Sequence, residues 1–105
     1  MCGILGTTDL DISSELLEKG LALLEKRGPD NSSLLNDGVV HFGHTRLAIL
    51  DLDERSNQPF NYSQKQKSVI LTFNGEIYNY LELRKELVTL GYEFTTNSDT
   101  EVVAA

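Results

Sequence analysis

Met1-Cys2-Gly3-Ile4-Leu5-Gly6-Thr7-Thr8 opens the chain, and the rest of the sequence is read outward from it. Gly3–Thr8 reads as a short buried strand that starts the domain. Cys2 stands just before it and is the only cysteine. A lone cysteine is most often a small buried hydrophobe. Here its position adds chemistry. Once Met1 is removed, Cys2 bears both a thiol and the free α-amine. An α-amine titrates near about 8 in model peptides, so it can serve as a base without a histidine. The thiolate is a strong nucleophile, so one residue could hold both roles. While Met1 is attached, that amine is tied up in a peptide bond.

Beyond the strand, Asp11, Ser13 and Ser14 offer helix-capping oxygens, and Leu16, Leu17, Leu21 and Leu24 recur at helical spacing. Gly28-Pro29 should stop this helix at Lys26-Arg27. Ser33–Asn36 and Val39–Gly43 read as strands joined by a two-residue Asp37-Gly38 hairpin turn. Arg46–Leu50 is apolar enough for another strand. The segment 51–67 is polar, contains Pro59 and reads as a surface loop. Lys67–Phe73 is the strongest buried-strand pattern. A second helix runs from a cap at Asn79 to Gly91, with Leu83, Leu87 and Leu90 on one face. Ser98-Asp99-Thr100-Glu101 has capping-box spacing and starts a third helix. That helix has no stop signal before the chain ends, so the chain reads as part of a longer protein.

Composition narrows the class. The chain has 105 residues, 40% hydrophobic and 24% charged, with net charge −7. That is one small globular domain, and its acidity argues against a nucleic-acid partner. No apolar run approaches a membrane span, and no secretory signal is legible. A single cysteine forms no internal disulfide, so cytoplasm is the default location. His41 and His44 lack a supporting cysteine or acidic cluster, and no metal site is expected.

Several residues could carry chemistry, each with a plainer alternative. Asn74-Gly75-Glu76 follows the Lys67–Phe73 strand; an Asn amide and a nearby backbone N–H can stabilise an oxyanion, and Asn-Gly is also a common turn. Arg46 has a donor fork suited to a carboxylate, and in an acidic protein it could equally form a surface ion pair. Asp99 could bind an ammonium group or favour a helix start. Arg27-Gly28-Pro29-Asp30 could be no more than a helix end.

Their order is more informative than any one of them. Met1-Cys2-Gly3-Ile4, Arg27-Gly28-Pro29-Asp30, His44-Thr45-Arg46-Leu47-Ala48-Ile49, Asn74-Gly75-Glu76-Ile77-Tyr78-Asn79 and Ser98-Asp99-Thr100-Glu101 occur in the order found in class II glutamine amidotransferases, which are N-terminal-nucleophile hydrolases. The resemblance spans the whole chain, 1–105. Arg-Gly-Pro-Asp and the Glu-Ile-Tyr-Asn continuation resemble the asparagine-synthetase branch, whereas the glucosamine-phosphate synthase branch usually has tyrosine at Pro29 and tryptophan at Leu47.

The resemblance implies an α+β fold, part of an α/β/β/α sandwich with antiparallel sheets, longer than this chain. It implies that Cys2 attacks the glutamine side-chain amide, that Asn74 and the Gly75 N–H form the oxyanion hole, and that Arg46 holds the α-carboxylate. Asp99 matches the α-ammonium partner, Glu76 a substrate-binding position, and Leu47 and Ile49 pocket linings. L-Glutamine is the expected partner. No cofactor is expected in this segment; ATP and Mg²⁺ are expected in an absent synthetase domain. Two other readings stay open: a non-catalytic glutamine-binding or interaction module, and an amidotransferase acting on a sugar or peptide. A sandwich short of strands should also leave apolar surface uncovered, so the isolated chain should either pair as a homodimer or stay loosely packed.

Overall fold

The computed structural model describes residues 1–105. Two antiparallel sheets organise the chain, so the expected α+β class with antiparallel sheets is what the structure has. The first sheet holds β1 (Gly3–Thr7), β2 (Asn31–Asn36) and β3 (His41–Arg46), with β3 central. Gly3 pairs with Thr45, and Asn31 with Arg46. Helix α1 (Ser14–Leu24) packs on β1 and β3. Ser13 caps it by accepting from the Leu16 N–H at 3.2 Å, and the chain then tightens into a 3₁₀ turn over Glu25–Arg27. Leu17 and Leu21 are the buried residues of α1, each contributing about 1.5–3 kcal/mol of burial. Leu16, expected on the same face, is 57% exposed: it lies one residue, about 100°, around the helix from Leu17.

The second sheet is a hairpin of β4 (Phe60–Gln64) and β5 (Lys67–Leu71). Helix α3 (Asp99–Ala104) packs on this sheet, and α2 (Tyr80–Thr89) packs on α3. The loop expected over 51–67 is therefore corrected: it contains a 3₁₀ turn at Glu54–Ser56 and the whole of β4. Phe60, Tyr62 and Gln64 alternate inward along β4, a period-two pattern hidden by polar neighbours. The hairpin turn is Lys65-Gln66, both with positive φ (52° and 63°), a conformation more typical of Asn and Gly.

Other boundaries also move. Arg46–Leu50 is not a strand, because Arg46 ends β3 where β1 and β2 run out of pairing residues. The Asp37-Gly38 turn is a four-residue connection instead; only Gly38 has positive φ, and the Asp37 carboxylate accepts from the Val39 and Val40 N–H groups. Asn79 precedes α2 without a side-chain cap, and Leu90 ends that helix at 67% exposure. The Gly3–Thr8 and Lys67–Phe73 strands are shorter and less buried than expected, with Ile4 44% and Val69 42% exposed.

The apolar core is small: Leu17, Leu21, Phe60 and Val102 are its buried hydrophobic residues. Between the two sheets the interior is polar instead, with His44, Arg46, Ser56, Gln58 and Thr100 all buried. On β3, Gly43 and Thr45 face α1, so His44 and Arg46 point away from it. That polar seam positions the site.

Candidate active site

A pocket of about 320 Å³ opens on the seam, within the usual range for small-molecule sites. Cys2, Arg46, Leu47, Ile49, Asn74, Gly75, Glu76 and Asp99 all line it, so the residues for which the resemblance implies a role share one cavity, while Arg27–Asp30, His41 and His44 lie outside its lining.

Cys2 enters from the start of β1. Its Sγ lies 3.4 Å from the Leu47 N–H and 3.8 Å from the Leu47 carbonyl. Arg27 Nε donates to the Cys2 carbonyl at 3.2 Å. The Arg27–Asp30 motif is thus more than a helix end. A Cβ on Gly28 would sit 2.3 Å from the Thr45 carbonyl oxygen, so only glycine lets this turn lie against β3. Asp30 then accepts from the Ala48 N–H at 2.8 Å. Sequence reading missed this bracing of 46–48 against Cys2. The Arg-Gly-Pro-Asp run was the available signal.

Arg46 is 6% exposed and forms no ion pair, so the surface-pair alternative is rejected. Nη1 donates to the Asp53 carbonyl (3.1 Å) and Asn57 Oδ1 (2.8 Å); Nη2 donates to the carbonyls of Leu50 (3.1 Å) and Asp51. A guanidinium has five N–H groups, and these bonds use the four on Nη1 and Nη2. Arg46 therefore organises the 50–57 loop and keeps only Nε–H for a ligand. Asp51 extends the brace by accepting from the Asn97 N–H (2.6 Å) and the Ser56 hydroxyl (2.8 Å). These bonds, that from Asn97 first, hold its carboxyl below the usual range.

Across the pocket, Asn74 and Gly75 follow β5, both exposed and with no protein partner for the Asn74 amide or the Gly75 N–H. A Cβ on Gly75 would meet the Phe73 ring at 2.7 Å, so the ring, which folds back over Gly75, would have to shift for any larger residue. Glu76 and Ile49 are exposed at the rim.

Asp99 opens α3 and is 6% exposed. Its Oδ2 accepts from the Ile77 N–H at 3.0 Å, leaving Oδ1 unpaired. The expected capping box is corrected here. Ser98 caps through the Thr100 N–H, but Glu101 does not reach back to Ser98. Its buried carboxylate accepts instead from the backbone and hydroxyl groups of Thr95 and Thr96, at 2.6–3.1 Å. Those four bonds fix the turn that delivers Asp99 to the pocket.

His44 is fully buried beside this seam, and neither ring nitrogen has a hydrogen-bond partner. Burial lowers its pKa; the neighbouring Phe73 backbone opposes this and the Arg46 charge adds to it. With the buried Asp99 carboxylate, the Glu76 carboxylate at the rim, one guanidinium, one thiol and two free amide donors, the cavity suits a zwitterion bearing a neutral side-chain carbonyl. No helix is long and apolar enough to cross a membrane.

Comparison with known proteins agrees with this chemistry. The family model described as a glutamine amidotransferase domain matches residues 1–105. Asparagine synthetase [glutamine-hydrolyzing] 1 of Bacillus subtilis (strain 168) is 42% identical, over 100% of this chain and 17% of that protein. Asparagine synthetase [glutamine-hydrolyzing] 3 of the same organism is 40% identical, over 98% of the chain and 17% of that protein. The Brassica oleracea asparagine synthetase [glutamine-hydrolyzing] is 41% identical, over 99% of the chain and 18% of that protein. The chain thus spans less than a fifth of the length of these relatives.

Proposed function

Because the chain belongs to the glutamine amidotransferase domain family, we propose that it is the glutaminase segment of a glutamine-hydrolysing asparagine synthetase. The observation that carries this reading is the convergence of Cys2, Arg46, Asn74, Gly75 and Asp99 on one cavity.

In the proposed reaction, removal of Met1 frees the Cys2 α-amine, which takes the thiol proton. Sγ attacks the glutamine side-chain carbonyl carbon, and the electron pair moves onto its oxygen. The Asn74 amide and Gly75 N–H, free in the structure, donate to that oxyanion. As the carbon–nitrogen bond breaks, the amine passes its proton to nitrogen and ammonia leaves. Water then cleaves the thioester, giving glutamate and restoring the thiol. Asp99 Oδ1 faces the substrate ammonium, while the buried Arg46 charge and its Nε–H attract the α-carboxylate. Leu47, Ile49 and Glu76 line the substrate's path.

The ammonia serves a synthetase part of a longer enzyme, and asparagine is the product read from the relatives' names. ATP with Mg²⁺ would activate the acceptor there. The cavity described above offers groups for an amino acid. The test is a chloromethyl ketone analogue of glutamine applied to the natural full-length protein freed of Met1. It should alkylate Cys2 and be blocked by excess glutamine; alkylation unaffected by glutamine would overturn the assignment.

A further inference from the structure

The loop that carries the proposed oxyanion donors belongs to neither sheet nor helix: β5 ends at Leu71 and α2 begins at Tyr80. Between them, the backbone N–H groups are pinned by side chains at two points. Asp99 accepts from Ile77, and Gln58 Oε1 accepts from the Phe73 N–H at 2.5 Å. Gln58 Nε2 donates to Thr100 Oγ1 at 3.3 Å. Both pins therefore reach α3, one directly and one through a single buried amide.

We propose that Gln58 is a positioning residue for glutamine hydrolysis, fixing Asn74 and Gly75 relative to Asp99; this rests on the reading of the site given above. Gln58 is 6% and Thr100 4% exposed, so the bridge works away from water, where each bond holds its geometry. Its orientation follows from chemistry, since the Phe73 N–H requires the amide oxygen and leaves the amide nitrogen for the Thr100 hydroxyl. Phe73 immediately precedes Asn74, and Thr100 immediately follows Asp99. One side chain thus sets the distance between the groups that meet the reacting carbonyl and the group that meets the substrate amine. Oxyanion donors act only when they lie within about 2.7–3.1 Å of the developing charge, and a misplacement of about 1 Å can cost about a hundredfold in rate.

The experiment uses the natural full-length enzyme freed of Met1, with rates expressed per Cys2 titrated by the electrophile so that unfolded molecules do not count. Gln58→Met keeps the length and loses both bonds. Gln58→Glu keeps an acceptor for the Phe73 N–H and accepts from the Thr100 hydroxyl in place of donating to it. Gln58→Met should lower kcat per titrated site by about tenfold or more. It should also weaken glutamate γ-semialdehyde more than glutamate. The aldehyde carbon adds the Cys2 sulfur while its oxygen takes the developing negative charge, so it reads the oxyanion donors in the tetrahedral geometry of the reaction; glutamate forms no such adduct and reads them less.

Gln58→Glu should recover most of both effects. An unchanged kcat per titrated site with an unchanged aldehyde-to-glutamate ratio would overturn the proposal, even if fewer molecules fold. If Gln58→Met yields no titratable Cys2, Thr100→Val, which removes the acceptor of Gln58 Nε2, carries the same ratio test and should shift it in the same direction. Wild-type glutamine hydrolysis by Cys2→Ala would instead sink the reading of the site, whatever Gln58 does.

Discussion

Cys2 Sγ rests 3.4 Å from the Leu47 N–H, so the residue just before β1 is held by the residue that follows Arg46. With Arg27 on the Cys2 carbonyl, the proposed nucleophile is braced from both sides. What the brace cannot supply is a base, and no histidine lines the cavity.

N-terminal processing should therefore decide activity. The full-length protein with Met1 retained should hydrolyse glutamine about 10²–10⁴-fold more slowly than the processed form, the usual worth of a general base. Met1 itself lines the pocket, so its removal also clears the entrance. Intact mass paired with glutaminase rate checks this; equal rates for both forms would remove the α-amine from the mechanism. Cys2→Ala should abolish hydrolysis and leave ammonia-dependent synthesis intact.

Arg46→Ala should do two things at once. It removes the charge offered to the substrate carboxylate, raising KM for glutamine with less effect on the use of free ammonia. It also strips donors from the carbonyls of Leu50, Asp51 and Asp53 and from Asn57. The second loss should cost about 2–4 kcal/mol of stability. Arg46→Lys should rescue neither fully, because an ammonium has three donors and no planar fork. A raised KM with an unchanged melting curve would show that the loop does not depend on Arg46.

Asp99→Asn separates those two kinds of effect. The amide oxygen can still accept from the Ile77 N–H, so the loop should keep its anchor. The negative charge for the substrate ammonium is lost, and KM for glutamine should rise about tenfold or more, as expected for a charge-assisted bond. Thermal melting should move little. A large fall in melting temperature with unchanged KM would mark Asp99 as structural only.

Much of this site was legible because its chemistry lies in short runs. Cys2, Arg46, Asn74-Gly75 and Asp99 are each recognisable by type and order, and the structure brings all of them to one cavity. The bracing was not legible. Gln58 joins Phe73 and Thr100 across 15 and 42 residues of sequence, and Asp51 joins Asn97 across 46. Such bonds leave no local period. Strand β4 escaped for a related reason: its inward residues Phe60, Tyr62 and Gln64 alternate with Asn61 and Ser63 behind Pro59, and the segment looks like a loop until its partner is known. The buried-strand reading of Lys67–Phe73 failed differently, since apolar residues were present but Val69 is left 42% exposed.

His44 should make stability pH-dependent. Burial lowers its pKa in the folded chain, while the unfolded chain titrates near its ordinary 6.5. Below that value the unfolded state binds the extra proton first, so stability is full above about 6.5 and falls as pH drops toward the depressed folded value. Asp51 acts in a lower window: its carboxyl is depressed, so its contribution holds above 3.8 and fades as pH falls further. Melting temperature against pH should slope downward below about 6.5 in the wild type and flatten there in His44→Leu. Identical slopes in the two proteins would show that His44 is not the group being titrated.

The 105 residues in isolation should associate. Only 17 of them are buried, and just four of the hydrophobic side chains reach the core. The accessible surface is 6742 Å², against about 5,900 Å² expected for a compact monomer of this mass. The radius of gyration, 14.4 Å, likewise exceeds the about 13 Å of a compact domain this long. Ile4, Leu34 and Val69 stand on strands with 38–44% of their surface in water. Strands β1, β2, β4 and β5 each leave one edge unpaired. Pairing those edges across a two-fold axis would bury apolar surface that the chain alone cannot cover. Sedimentation should therefore give an average mass above 11.7 kDa that rises with concentration, with weak near-ultraviolet dichroism in dilute solution. A concentration-independent monomer with sharp tertiary signals and a cooperative melt would show that the small core suffices, and the argument from uncovered surface would fail.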